Sequence, residues 1–492
     1  MKLEGVPVLC NGHINPGLAT GDTDISFDFS KKVIEDFQKD KAENLVAAKQ
    51  TVGVEYTAPD GGWGWVIAIA AFATWFLVGL TAYNFGMLYS EFLLEMGTST
   101  TFISWIYCLG LVISSIISAF VDPLVVAFGW RKVAVVMGAI YSFALIVSAF
   151  ATSSIFLLFS SLVAGSMVDT LYNIVSSIIP HYFIRWRDLV NTIMVLGTSV
   201  NLLVVPYLLV YLHAEYGFRG AIFIIGGLSL NMVPAGMVLY PVEWPSKNTI
   251  PVTTTRESLD TASMNNSIKA MLKSMENIIL LFKSVKVIII ALSYGIFFSA
   301  TAFTSSYVPF VMQATGYTLN ESAHCLTMVG VFHLVTRFIH PFISVICHGD
   351  NFHVLTASYA AIPISIVVFS CVNIFHVKAA AMAVLGSGMS FASAAFIPVI
   401  VDIFGLPLVL PVLCVTGIFE AIGFLTIGPI TGAVRDLSGS YTFSLYVSSA
   451  CIFSFSFLPC MCLWAVNAYN QRQQHKLLQE KASGKSKEEI YH

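Results

Sequence analysis

Five side chains in this sequence pair an ionisable group with apolar surroundings: Asp169, His333, Arg337, Asp402 and Glu420. A charge in such a setting costs several kcal/mol, so each is a candidate for function. The chemistry open to them is non-covalent. Arg337 offers a planar fork of N–H donors suited to a carboxylate held by two hydrogen bonds, and it stays charged through any physiological pH cycle. Its other reading is a structural ion pair between helices. His333 lies one helical turn earlier on the same face. It suits a proton relay if it titrates, and pocket lining or packing if it stays neutral. Asp402 is the natural counter-ion for Arg337, because an unpaired buried charge is costly. Counting residues leaves the two about 10 Å apart in depth, so an interfacial acid is the rival reading. Asp169 and Glu420 are each expected to pair with Arg337, to carry a proton or to hold an amino group; failing that, they hydrogen-bond in the neutral form.

Other chemistry finds no constellation. The nine cysteines are scattered apart from Cys460 and Cys462, with no zinc spacing or disulfide framework. His324, His340 and His348 make no metal cluster at helical spacing, and there is no phosphate-cradling glycine loop followed by lysine. No metal, cofactor, nucleic acid or covalent reaction is expected.

The elements that must position these residues follow from composition. The chain has 492 residues, 56% hydrophobic and 11% charged, whereas soluble domains carry about a quarter charged residues. A helix crossing the hydrocarbon core needs about 20 mainly apolar residues. That ruler predicts six spans at 64–88, 100–121, 133–151, 155–180, 189–212 and 220–240. Six more are predicted at 286–312, 321–347, 353–375, 379–404, 408–433 and 442–467. The fold class is therefore an all-α polytopic membrane protein with 12 transmembrane helices in two six-helix halves, 59–240 and 286–467. A polar N-terminal tail 1–58, a central loop 241–285 marked by Pro241, Pro245 and Pro251, and a C-terminal tail 468–492 complete the layout. Six helices, a long loop and six more is the layout of the major facilitator fold.

With the N-terminus inside, 21 of the 25 Lys and Arg fall on the cytoplasmic side. Arg131, Lys132, Arg185 and Arg187, in short loops, all point that way, so both termini are expected to be cytoplasmic. Met1 to Cys10 hold no apolar core for a cleaved signal peptide. Asn320-Glu321-Ser322 is a glycosylation sequon on the expected outer face.

Asp60-Gly61-Gly62-Trp63-Gly64-Trp65, preceded by Tyr56 and Pro59, resembles the signature of the monocarboxylate transporter family of the major facilitator superfamily. Further matches follow in order: Phe128-Gly129-Trp130-Arg131, Tyr182 to Arg187, Tyr216 to Gly220 with Asn231, and Gly428-Pro429, Gly432, Asp436, Gly439 and Tyr441. The resemblance spans roughly 56–467 and implies secondary-active or facilitative transport of a small carboxylate-bearing solute by alternating access at the plasma membrane. It also implies Arg337, Tyr83, Asn84 and Asn173 as substrate contacts and Asp402 as a coupling acid, while His333, as a further contact, and Asp169 and Glu420, as coupling acids, join them through their place in apolar spans. Departures matter here. The proton-coupled lactate carriers of the family have a lysine near Tyr83 and an aspartate at His333. The pattern is more like divergent branches that carry aromatic or zwitterionic solutes without tight proton coupling. A non-transporting solute sensor of the same fold is the alternative. Some family members have a single-span accessory glycoprotein as partner.

Overall fold

The computed structural model describes residues 60–118, 121–183, 185–240, 281–346, 351–405, 408–466 and 469. The expectations for both tails and most of the central loop lie outside the described residues. Every described regular element is helical, as backbone polar groups in a hydrocarbon medium require. The long helices are α1 (Trp63–Glu95), α2 (Thr100–Ser118), α3 (Trp130–Ser148), α4 (154–182), α5 (187–216) and α6 (218–237). The second half holds α7 (Val285–Ala314), α8 (Leu319–Ile346), α9 (Asn351–Cys371), α10 (Phe375–Phe404), α11 (Val409–Ser438) and α12 (Tyr441–Val466).

Helices α5 and α6 follow one another as an apolar run of 49 residues, Leu189–Met237. A straight helix of that length would extend ~73 Å, against a hydrocarbon core of about 30 Å. Gly217, with φ 65 and ψ −177, turns the chain and divides the run in two. Side chains with a Cβ resist that conformation. The count is twelve. Large apolar side chains such as Ile69, Phe143, Phe159 and Phe342 stay exposed on the outside of the bundle, where lipid rather than water is the natural solvent.

Three spans differ from the continuous helices the sequence predicts: α6 pauses at Leu230 and Asn231 before Met232–Met237, and α1 and α4 are broken near candidate residues. Helix α1 is broken into Trp63–Ala82 and Phe85–Glu95, with Tyr83 and Asn84 between them. The Asn84 side-chain amide donates to Gly79 O (3.0 Å) and Asn201 Oδ1 (2.8 Å), and Asn201 donates to Phe76 O (2.8 Å). The paired amides thus add a second bond to carbonyls beside the break, Gly79 O also accepting from Tyr83 N–H at 3.3 Å. Helix α4 is broken into Ser154–Gly165 and Val168–Tyr182, around Ser166 and Met167. Both breaks fall in the first half, next to candidate residues.

The halves meet where α2 packs on α11 and α5 packs on α8. The end of the bundle away from Asp60 and Tyr469 is tied shut by hydrogen bonds across this seam. Asp436 on α11 accepts from the backbone N–H groups of Thr100 and Thr101 on α2, both at 2.9 Å, and from the Thr101 hydroxyl at 2.7 Å. The Tyr307 hydroxyl on α7 lies 2.7 Å from Ser104 Oγ and donates to Thr100 O at 3.0 Å. Gln313 donates to Ser90 Oγ at 2.9 Å, and Tyr207 pairs with His324. Helix α8 starts with a capping box: Thr318 N–H donates to Glu321 (2.7 Å), and Glu321 N–H donates to the Thr318 hydroxyl (3.2 Å). Asn320 is exposed beside it.

Candidate functional site

The depth of the acids can be read from helix register. Along the antiparallel α2–α11 seam, Thr100 meets Asp436, Ser104 meets Gly432 and Cys108 meets Gly428. Eight residues further along both helices, Glu420 comes level with Ile116, next to Ser115. Ser115 is the residue that donates to Asp169 Oδ2 at 3.0 Å, while Asp169 N–H donates to Ser114 Oγ at 2.7 Å. Asp169 and Glu420 therefore sit at one depth, one from each half, and interact electrostatically. Asp169 is in the first turn after the α4 break, where the N-terminal end of a helix favours negative charge. Glu420 has no hydrogen-bond partner among the described residues.

Tyrosines surround this pair. Tyr83, at the α1 break and 7% exposed, stands in the field of both acids, and its hydroxyl has no hydrogen-bond partner among the described residues. Tyr107 donates to Ala82 O at 2.8 Å and packs edge-on against Phe424, one turn from Glu420. The Tyr172 hydroxyl is buried without a partner, its ring 4.4 Å from Trp75.

Arg337 lies on the other side of Tyr294. That tyrosine, stacked on Phe396 at 3.6 Å between centroids, senses Glu420, Tyr83 and Arg337 together. Arg337 interacts electrostatically with Tyr294 but with neither Asp169 nor Glu420. Its one hydrogen bond among the described residues is a long one, 3.4 Å from Nη1 to Ser393 Oγ on α10. Ion pairing with Asp402, expected from the sequence, is not made. Helices α8 and α10 run parallel, Val329 meeting Gly386 and Arg337 meeting Ser393. Asp402 lies nine residues past Ser393, ~13 Å deeper toward the end that holds Asp60, and is exposed. Geometry therefore favours the interfacial reading.

The remaining expected contacts divide. His333 is buried at the α5–α8 seam, its Nδ1 2.8 Å from Ser199 Oγ. Asn84 is fully buried; its amide N–H groups serve the α1 break, while its Oδ1 makes no hydrogen bond among the described residues. Asn173 is exposed one turn beyond Asp169 on the same face. Trp105 is part-buried on α2, and Phe391 packs 6.2 Å from His340. Gly386, expected to allow close helix packing, does bring α10 against the Val329 backbone. Sequence reasoning missed Ser114, Ser115, Asn201, Ser199, Tyr294 and Ser393. Only Asn201, an amide inside an apolar run, carried a signal.

The Asp60–Trp65 motif is structural. Asp60, at φ 46, accepts from Arg185 N–H at 2.9 Å, and its own N–H donates to Tyr182 O at 3.0 Å. Trp63 Nε1 donates to Val238 O at 3.0 Å, and Trp65 packs edge-on against Phe183 at 5.3 Å. A Cβ on Gly64 would meet the Phe183 ring at 2.8 Å. Arg131 joins this cluster, donating to the Tyr240 hydroxyl at 2.6 Å. The motif thus ties the start of α1 to the ends of α4 and α6. A cavity of about 30 Å³, lined by Thr81, Tyr89, Tyr107, Ser148 and Ser160, lies inside the first half and shares Tyr107 with the surroundings of the acids. It has room for about two waters and does not reach Arg337.

The family model for the Major Facilitator Superfamily matches residues 67–407. Monocarboxylate transporter 9 of Gallus gallus is 36% identical over 186 residues, covering 38% of this chain and 37% of the relative. Monocarboxylate transporter 13 of Rattus norvegicus is 24% identical over 407 residues, covering 80% of this chain and 87% of the relative. The match to the first is thus confined to about a third of either length, whereas the second is matched nearly end to end. Among solved structures, a mutant of the nucleoside transporter NupG superposes with TM-score 0.58 at 12% identity, covering 82% of this chain and 99% of that one. At that identity the likeness shows the fold alone. A twelve-helix bundle, a seam of α2 on α11 and α5 on α8, and a family match over most of its length place this multi-pass, non-enzymatic chain in the major facilitator superfamily, as a divergent member of the monocarboxylate transporter group.

Proposed function

We propose that this protein carries a small monocarboxylate or related carboxylate-bearing solute across the plasma membrane by alternating access, with Arg337 binding the carboxylate. The observation that carries this reading is the guanidinium itself. It sits in the middle part of α8 with one long hydrogen bond and no acid beside it among the described residues. A charge kept without a resident counter-ion in an apolar bundle suits a visiting one, and the donor fork matches a carboxylate in two hydrogen bonds. The relatives named as monocarboxylate transporters support the same solute class. The seam tied shut at one end corresponds to one of the two states that alternating access requires. Both termini are cytoplasmic in this reading, by the distribution of Lys and Arg, and a single-span glycoprotein is a candidate partner at the cell surface.

The test is uptake of labelled carboxylates into oocytes at two pH values, comparing water-injected cells, wild type and Arg337→Gln. Wild-type flux above background is expected, falling by about tenfold or more in the variant at matched surface amounts, as loss of a charged hydrogen-bonding partner predicts. Equal flux in the two proteins would remove Arg337 from the mechanism. Binding without exchange in proteoliposomes would instead favour a sensor.

A further inference from the structure

Two carboxylates, one from each half, face a common point at which no cation sits among the described residues. Asp169 is steadied by Ser114 and Ser115, and Glu420 lies level with them on α11. The second, independent feature is Tyr83. Its side chain is nine-tenths buried (7% exposed), its hydroxyl makes no hydrogen bond among the described residues, and it stands in the field of both acids. One turn along α4 from Asp169, the Tyr172 hydroxyl is wholly buried and likewise makes no hydrogen bond among the described residues, whereas a buried hydroxyl ordinarily finds a partner. Two carboxylates and a hydroxyl oxygen make three acceptors, and a primary ammonium presents three donors and no acceptor.

Arg337 does not neutralise the acids. Tyr294 stands between: its ring stacks on Phe396, one turn past the Ser393 that Arg337 binds, and its neighbour Gly295 packs on the Glu420 backbone. An aromatic ring thus lies between the positive and negative poles of the site. A solute with its amine and carboxylate on one carbon cannot span them. A chain with several bonds between the two can.

We infer that the solute is a zwitterion with separated charges, an ω-amino carboxylate, whose ammonium binds between Asp169, Glu420 and Tyr83 while its carboxylate binds Arg337. This rests on the carboxylate reading given above and deepens it. Because the two acids belong to opposite halves, the ammonium would also join the halves across the site.

The experiment is uptake into proteoliposomes holding the full chain, with glycine, β-alanine, γ-aminobutyrate and ε-aminocaproate set against butyrate and caproate. Wild type is expected to move γ-aminobutyrate or ε-aminocaproate about tenfold faster than the matching carboxylate, and faster than glycine, as an ammonium held by charged acceptors predicts. In Glu420→Gln the ratio of amino to plain carboxylate uptake should fall toward one. Tyr83→Phe removes a single hydroxyl and should lower the same ratio severalfold, which serves as the reading if Glu420→Gln does not fold. Because a ratio is read, differences in protein amount cancel. Equal wild-type uptake of γ-aminobutyrate and butyrate, or a ratio untouched by both variants, overturns the ammonium site and leaves the carboxylate reading standing. Butyrate uptake that requires sodium or a proton gradient in wild type, but not in Glu420→Gln, assigns the acids to an inorganic cation or proton and also overturns it. If no carboxylate of either kind is moved, both readings fall.

Discussion

His333 and Arg337 share one face of α8, a turn apart, yet they take different tasks. His333 closes a hydrogen bond to Ser199 across the α5–α8 seam, whereas Arg337 keeps most of its donors unspent. Replacing His333 by Gln should retain a polar partner for Ser199, leave uptake within about twofold and leave its pH profile unaltered across the physiological range. Replacing it by Leu orphans the Ser199 hydroxyl, with an expected cost of about 1–3 kcal/mol read as a lower melting temperature in detergent. A pH profile that flattens in His333→Gln would instead make the ring a proton carrier. These five ionisable residues were visible in the sequence because each interrupts an apolar run. Their partners were not. Asp402 and Arg337 look equally buried by composition, and only the parallel register of α8 and α10 sets them ~13 Å apart in depth. Asp169 and Glu420 are 251 positions apart in the chain, and nothing local says that they share a level.

Among the elements, the spans were legible and their breaks were not. Hydropathy counts apolar residues, and it runs smoothly through Ser166 and Met167 because neither residue is a helix breaker in the manner of proline. The break at Tyr83 and Asn84 depends on Asn201, in another helix, which binds Phe76 O and the Asn84 amide. Asn84→Leu or Asn201→Leu should each lower the melting temperature of the solubilised protein, by an amount equivalent to about 1–3 kcal/mol. The double variant should cost less than the sum, since the two side chains serve one network. Additive losses would mean that the amides act independently. The motif at Asp60–Trp65 teaches a related lesson. Its residue types announce an interface anchor, but its role in joining α1, α4 and α6 becomes clear only once Tyr182, Arg185 and Val238 are seen around it.

For the molecule as a whole, the consequence is mechanical: transport requires the seam at the far end to open. Cys108 on α2 is fully buried there, directly against Gly428 of α11. Asp436→Ala should loosen the seam, so that Cys108, in a background with the other cysteines replaced by serine, becomes reactive toward a membrane-impermeant maleimide. Continued protection would show that Asp436 does not control closure. A Cβ at position 428 would lie against Cys108 Sγ, so Gly428→Cys brings a second thiol to Cys108. Oxidation should then stop uptake and a reductant restore it. Full activity in the oxidised protein would rule out opening along α2 and α11.

The Asp436 contact has one more consequence, for how this seam can change over generations. Two of its three partners across the seam are main-chain N–H groups at positions 100 and 101, and every amino acid but proline supplies those. Mutation on the α2 side can therefore drift with little penalty, while the acid on α11 cannot be exchanged without losing the clasp. Statistical searches for paired substitutions would find only the Thr101 hydroxyl as its partner across the seam. A contact that closes the molecule would leave its trace mostly in one column of descent.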